Sequence, residues 1–304
     1  MEPSMYIWMD GKLVPWDEAN VHVLSNALHY GTGVFEGIRA YETDNGTAIF
    51  RLTEHLERLH RSARVYRVPL AWSVKDLAEA CRTVMRENEL EAGYIRPLVY
   101  YGLGAIGLNP TGATSHTAIA AWRWGAYLGE EGVLNGIRVG VSSWRRISPA
   151  AFVPVAKGCG QYLNSVMAKM EALSNGYDEA LLLNADGNIS EGSGENVFLV
   201  RDGVVLTPPI SSGILDGITR HTVMTLLSRD GIEIREATLT RGDLFNADEV
   251  FFTGTAAEVT PVREIDTRPV GSGRPGPVTR RAQELFERLT SGGDPDLGDW
   301  LEYV

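Results

Sequence analysis

A chain of 304 residues and 33.3 kDa is longer than one compact core comfortably holds, and at about 150 residues per domain it predicts two domains. An apolar share of 44% excludes a disordered or collagen-like chain, and a net charge of −11 opposes a phosphate backbone, so no nucleic-acid partner is expected. No apolar run approaches the ~18 residues of a membrane span, the first residues lack a signal-peptide pattern, and two cysteines, Cys81 and Cys159, cannot form a disulfide scaffold; a cytoplasmic protein without a membrane partner is the expectation.

Residues 6–9 and 12–16 flank Asp10-Gly11 as a β-hairpin. A second hairpin is expected from 34–42 and 47–51 around Asp44-Asn45-Gly46. Thr53 then caps a helix that places Leu56, Leu59, Ala63 and Tyr66 on one face. Ser73 and Asp76 have capping-box spacing and open a helix running to residue 87. Strands follow at 94–101 and 117–122, and the pattern lapses into glycine and charge over 125–134, an interdomain loop. Beyond it come a strand at 137–144, a proline-bearing loop, Lys157 and a helix over 162–175 that Gly176 stops. Strands at 179–184 and 196–201 enclose a Gly/Ser/Glu loop, a helix starts near Gly217, and a strand at 249–253 leads into a glycine turn. Strands outnumber helices and join through short turns. That pattern predicts an α+β chain with a smaller domain over 1–124 and a larger, barrel-like one over 135–304, not a doubly wound sheet.

Three familiar signatures fail on context. Gly102-Leu103-Gly104-Ala105-Ile106-Gly107 matches a dinucleotide fingerprint, but turn chemistry at Asn109-Pro110-Thr111-Gly112 stands where the helix should start. The six histidines form no metal constellation, His55 and His60 being five apart, so no metal is expected. A nucleophile elbow, G-x-S-x-G, is absent.

Basic residues are 24 Arg and only four Lys, which narrows the search for a reactive amine. Lys12, Lys75 and Lys169 read as solvated hairpin and helix positions, whereas Lys157 stands in Val153-Pro154-Val155-Ala156-Lys157-Gly158-Cys159-Gly160, with apolar residues before it and two glycines after. Desolvation there would favour the neutral amine that carbonyl chemistry needs, although a lysine snorkelling from a loop fits the same window. A lysine-bound aldehyde cofactor such as pyridoxal phosphate also needs an anion for its ring nitrogen and a phosphate cup. Glu191 and Glu195 in Ile189-Ser190-Glu191-Gly192-Ser193-Gly194-Glu195-Asn196 offer the anion, and a solvated turn is the alternative reading of that stretch. Gly217-Ile218-Thr219-Arg220 at a helix start and Thr253-Gly254-Thr255-Ala256 at a strand end offer the cup.

These windows, with Asn26-Ala27-Leu28-His29-Tyr30-Gly31, Val34-Phe35-Glu36-Gly37-Ile38-Arg39, Tyr94-Ile95-Arg96-Pro97 and Trp124-Gly125-Ala126-Tyr127-Leu128-Gly129, stand in one order along nearly the whole chain. The sequence resembles the branched-chain amino acid aminotransferases of the class IV, fold type IV, pyridoxal-phosphate enzymes. The resemblance implies a two-domain fold type IV architecture and a ping-pong transfer between L-leucine, L-isoleucine or L-valine and 2-oxoglutarate, a step of branched-chain amino acid biosynthesis. Lys157 would hold the pyridoxal 5′-phosphate aldehyde and move the proton between substrate Cα and cofactor C4′. Glu191 would meet the ring nitrogen, Tyr162 the phenolic oxygen and Leu215 the ring face. Arg58, Ile218, Thr219 and Thr255 would hold the phosphate.

For the substrate, the resemblance implies apolar walls from Tyr30, Phe35, Trp124 and Tyr127, with Gly37 beside them. Tyr94, Thr255 and Ala256 would receive the α-carboxylate, and Arg96 with Tyr30 the second carboxylate of glutamate. A homodimer or higher homo-oligomer is implied, with Tyr30 and the 104–108 loop reaching the neighbour's site. The family usually has Ala-Gly-Gly-Asn-Tyr after the lysine, where this chain has Gly158-Cys159-Gly160-Gln161-Tyr162, a departure that bears on substrate range. A D-amino-acid or (R)-amine transaminase of the same fold is the alternative, and an aminodeoxychorismate-type lyase a more distant one.

Overall fold

The structure, a computed structural model, describes residues 2–104, 107–125 and 128–304, and it is α+β as expected. The chain forms two compact units, Met1–Gly125 with Ala156–Gln161 and Leu289–Val304, and Ala126–Val155 with Tyr162–Arg288. The piece that carries Lys157 thus packs with the N-terminal unit, as does the C-terminal end. A single contiguous stretch from 135 onward does not describe the second unit. The reason is local: Phe35 N–H donates to the Lys157 carbonyl (3.0 Å), and Val34 bridges to Gly158.

In the first unit, β1 (Tyr6–Met9) and β2 (Lys12–Pro15) form the hairpin, with Asp10 and Gly11 at φ 47° and 93° as a tight turn requires. There follow α1 (Asn26–Tyr30), β3 (Gly33–Phe35), β4 (Ile38–Thr43), β5 (Gly46–Phe50), α2 (Leu52–Val65), α3 (Val74–Glu87), β6 (Gly93–Tyr101) and β7 (Ser115–Trp122). Among the described residues the sheet runs from the last strand, Leu301–Tyr303, through β5, β4, β6, β7 and β1 to β2, with β3 also on β6.

Two expectations change here. The strand expected over 34–42 breaks at Glu36-Gly37, because Glu36 turns inward to bond α2 and a Cβ at Gly37 would sit 1.8 Å from the Tyr94 hydroxyl. Thr53 is not the α2 cap. Arg51 is, at φ 51°, and the Thr53 N–H bonds Glu302 Oε1 at 2.7 Å. The Ser73–Asp76 capping box forms as read.

Leu52, Leu56 and Leu59 of α2 and Leu77, Val84 and Met85 of α3 pack on Ile38, Ile49, Ile95 and Ile119. Each fully buried leucine contributes about 2 kcal/mol by the area it removes from water. That packing pins α2 against the sheet. It also buries His55, Arg58 and Ser62, a second, polar stripe at helical spacing.

The second unit holds α4 (Glu130–Asn135), β8 (Ile137–Arg145), α5 (Tyr162–Ser174), β9 (Glu179–Leu183), β10 (Ile189–Gly192), β11 (Asn196–Arg201), β12 (Val204–Thr207), α6 (Ile218–Arg229), β13 (Ile234–Glu236), β14 (Glu249–Gly254) and β15 (Glu258–Ile265). Its sheet orders β10, β9, β8, β15, β14, β11, β12, β13. The expected interdomain loop therefore contains a short helix, α4, entered at Gly129 and left at Gly136, both at positive φ. The expected Gly/Ser/Glu loop contains β10, whose four residues are buried and which pairs with β9 through Ile189 and Gly192, so Glu191 lies on a strand where its register shifts. Lys169 is not solvated: its Nζ lies 2.7 Å from the buried Glu179 carboxylate. Among the described residues no helix is long and apolar enough to cross a membrane, and no His/Cys/Asp/Glu group could hold a metal ion.

Candidate active site

Lys157 is held by its backbone on both sides. Its N–H donates to Ser62 Oγ (2.9 Å) on α2, and its carbonyl accepts the Phe35 N–H. Its Nζ lies 5.0 Å from the centroid of the Phe35 ring. One residue beyond Phe35, the Glu36 carboxylate is fully buried and receives Arg58 Nε (2.7 Å), Arg58 Nη2 (2.9 Å) and His55 Nδ1 (2.8 Å). Burial alone would raise the Glu36 pKa, but the Arg58 charge and the His55 and Arg58 bonds outweigh it and hold the carboxyl below the usual range. Burial pushes His55 down, Arg58 and Lys157 acting in the same direction against the Glu36 bond.

Phe35, Gly37, Tyr94, Arg96 and Trp124 come together in the same unit. The Arg96 guanidinium lies 4.9 Å from the Phe35 ring centroid and 5.2 Å from that of Tyr94, and Nη2 donates to the Tyr94 hydroxyl at 3.2 Å. The Tyr94 and Trp124 rings are 5.3 Å apart. Arg96 Nε is buried without a hydrogen-bond partner, a fixed donor of the kind a bound carboxylate satisfies. Gly37 makes room for the Tyr94 hydroxyl, which stands where a Cβ would be. Tyr30 stands on α1, 42% exposed, with the His29 ring as its neighbour at 6.1 Å. Tyr127 and residues 105 and 106 of the 104–108 loop lie outside the described residues.

In the second unit, Glu191 Oε1 lies 2.7 Å from Arg146 Nε, and Oε2 accepts the Asn196 amide (3.2 Å) and the Leu215 N–H (3.0 Å). Asn196 also donates to the Leu215 carbonyl, so one amide ties the strand of Glu191 to the loop that enters α6. A Cβ at Gly217 would lie 1.9 Å from Asn196 Oδ1, which explains the glycine there. Gly217 gives α6 no side-chain cap, and Ile218 and Thr219 are buried in its first turn, a helix start of the kind that receives anions. Thr255 and Ala256 sit in the turn between β14 and β15, and Tyr162 opens α5. Glu195 is buried as well. Burial and the charges of Glu179 and Glu191 push its carboxyl up to about 8.

Each unit therefore carries parts that suit a phosphorylated pyridine aldehyde: a framed lysine and a buried arginine in one, and a held carboxylate and an uncapped helix start in the other. The structure adds Glu36, His55, Ser62 and Arg146 to the residues singled out above. Polar residues at 55, 58 and 62 on one side of the helix were a usable signal for two of these, His55 and Ser62. Arg146 lies 45 residues from Glu191, and no local window links them.

Comparison with known proteins agrees with this geometry. Residues 33–265 match the amino-transferase class IV family. The branched-chain-amino-acid aminotransferase of Escherichia coli (strain K12) is 50% identical over 300 residues, covering 98% of this chain and 97% of the relative. A crystal structure of the Escherichia coli branched-chain amino acid aminotransferase superposes with a TM-score of 0.97 at 50% identity, covering 98% of this chain and 99% of that one. The crystal structure of the branched-chain amino acid aminotransferase from Thermobaculum terrenum in its PLP, or holo, form gives 0.92 at 36% identity, covering 99% and 98% of the two chains. The chain belongs to the class IV amino-transferases and, within them, to the branched-chain-amino-acid aminotransferases.

Proposed function

We propose that the protein transfers the amino group between branched-chain L-amino acids and 2-oxoglutarate, with pyridoxal phosphate bound at Lys157. The observation that carries this reading is the framing of Lys157 between Ser62 and Phe35, in the unit that also gathers Arg96, Tyr94 and Trp124. When bound, pyridoxal phosphate supplies the electron sink that makes a substrate Cα–H acidic. The Lys157 amine would then carry the proton from substrate Cα to cofactor C4′, and in the opposite direction with the oxo acid. Arg58 and the first N–H groups of α6, with the Thr219 hydroxyl, hold the phosphate, and Thr255 adds a donor. Arg146 keeps Glu191 aimed as an anion for the ring nitrogen, Tyr162 meets the phenolic oxygen, and Leu215 packs on the ring. Arg96 receives the second carboxylate of glutamate, while Phe35 and Trp124, with a Tyr30 supplied by a neighbouring copy, line the place of an aliphatic side chain, and Tyr94 and Ala256 meet the α-carboxylate.

The same reading includes a homodimer or a higher homo-oligomer in the cytoplasm. Leu163, Val166, Met170 and Leu173 form an exposed apolar stripe along α5, and Val23 and Leu28 are exposed around α1, the kind of surface a second copy covers. Cys81 and Cys159 are free thiols, which suits a reducing compartment.

The test is the visible spectrum of the cofactor-loaded protein. Excess L-leucine is expected to bleach the visible band and 2-oxoglutarate to restore it. A loaded protein indifferent to L-leucine but bleached by D-alanine or an (R)-amine would overturn the substrate assignment.

A further inference from the structure

We infer that Tyr66, Gly158 and Gln161 act as one positioning unit that fixes the backbone of Lys157. The inference rests on reading Lys157 as the cofactor lysine and concerns what holds it in place. A Cβ built on Gly158 would lie 2.6 Å from Tyr66 Cε2, 2.8 Å from Cζ and 3.0 Å from the hydroxyl oxygen. Close-packed interiors do not tolerate such approaches, so the residue after Lys157 has to be glycine while the ring stays where it is.

The ring is held there. Tyr66 caps α2, its N–H bonding the Ser62 carbonyl at 3.2 Å, and its hydroxyl donates to Gln161 Oε1 at 3.3 Å. Gln161 is 1% exposed, and its Nε2 returns to the Ala156 carbonyl. One glutamine side chain thereby ties the far end of the 156–161 segment to its start, with Lys157 inside the closed loop. On α2, Ser62 and Tyr66 are one turn apart, so the first holds the Lys157 N–H while the second fills the space over Gly158. Moving the segment away from Tyr66 strains the Ser62 bond, and moving it closer is blocked by the ring. Such two-sided restraint matters at a reacting amine, where a misplacement of about 1 Å costs on the order of a hundredfold in rate.

The test compares the wild type with Gly158→Ala, Gly158→Ala combined with Tyr66→Leu, and Gln161→Met. Leucine ends at Cδ and withdraws the ring atoms that meet the new Cβ. Methionine keeps the length of glutamine without either hydrogen bond. The readouts are the dissociation constant of pyridoxal phosphate by absorbance titration, kcat and KM for L-leucine, and the melting temperature of the cofactor-free protein. Gly158→Ala is expected to weaken cofactor binding about tenfold or more, and the double variant to recover it to within about threefold of wild type. Gln161→Met is expected to lower kcat about tenfold, with KM unchanged and a melting temperature within about 2 °C of wild type.

Wild-type cofactor binding in Gly158→Ala, no recovery in a folded double variant, or wild-type kcat in Gln161→Met each overturns the inference. Should Gly158→Ala not fold, Gln161→Met decides alone. A wild type that binds no pyridoxal phosphate, or that borohydride fixes to it through another lysine, overturns the reading of Lys157 itself, a result distinct from the other three.

Discussion

Glu36 in the first unit and Glu195 in the second are both at most 5% exposed, yet they hold opposite charge states near neutral pH. Glu36 has a guanidinium on one edge and an imidazole beside it, and these overcome the cost of burying it as an anion. Glu195 accepts the Gly194 N–H at 3.0 Å, but its charged neighbours include Glu179 and Glu191, and burial pushes it up to about 8. Depth does not separate the two; the assignment of cations does. In the second unit Arg146 is paired with Glu191 and Lys169 with Glu179. A third carboxyl in that cluster stays neutral by keeping its proton. The carboxylate that receives the arginine is the one proposed to face the ring nitrogen, and a neutral Glu195 leaves that negative charge localised on Glu191.

Removing the charge from Glu36 is expected to have the largest effect. Glu36→Gln leaves Arg58 buried without its counterion and should cost about 3–5 kcal/mol in urea unfolding of the cofactor-free protein at pH 7. Because the folded carboxyl titrates below its usual 4.5, the stabilisation it gives is present above that pH and is lost as pH falls through the folded value. The variant should therefore show a flatter stability profile below about pH 4.5. A loss under about 1 kcal/mol would mean the pair contributes little and would break the contrast.

Glu195→Gln should act in the opposite direction. With the folded carboxyl raised from 4.5 to about 8, wild-type stability falls as pH rises through that window, because the unfolded chain releases the proton first. A neutral amide removes that slope, so the variant should gain about 1–3 kcal/mol at pH 9 and nothing at pH 4. Equal stability at both pH values would show that Glu195 finds a counterion the folded cluster does not display.

The sequence carried the hairpin at Asp10-Gly11, the Ser73–Asp76 box and the stop at Gly176, because each depends on residues within a few positions of one another. Lys157, Glu191 and Thr219 stand out as candidates for a related reason: each stands in a glycine-rich or helix-opening window whose local chemistry is unusual. What stayed hidden depends on distant partners. The break at Glu36-Gly37 follows from Arg58 and Tyr94, and the α2 start at Leu52 goes with Glu302 taking the Thr53 N–H, 249 residues away. The Gly158-Cys159-Gly160-Gln161 departure looked like a perturbation of the pocket. Beside Tyr66 it is a matched set, with glycine making room for the ring and glutamine meeting its hydroxyl. A window of ten residues cannot show that, since Tyr66 and Gln161 are 95 apart.

The smallest of the expected effects isolates the imidazole beside Glu36. His55 is buried and pushed below its usual 6.5, so the folded protein holds it neutral while the unfolded chain protonates it. Wild-type stability should then fall as pH drops below 6.5, by up to about 1.4 kcal/mol per pH unit for one proton. His55→Asn places an amide N–H near the position of Nδ1 and cannot titrate. Its stability at pH 7.5 should lie within about 1 kcal/mol of wild type, because a neutral donor to Glu36 is retained. Below about pH 6.5 its profile should be shallower, by up to one proton, in a range that begins above the titration of Glu36. His60 is also shifted down and contributes to both proteins, so the difference between the two profiles is the quantity to read. Parallel profiles would mean that His55 takes up its proton in the folded state, giving Glu36 two cations where this account gives it one.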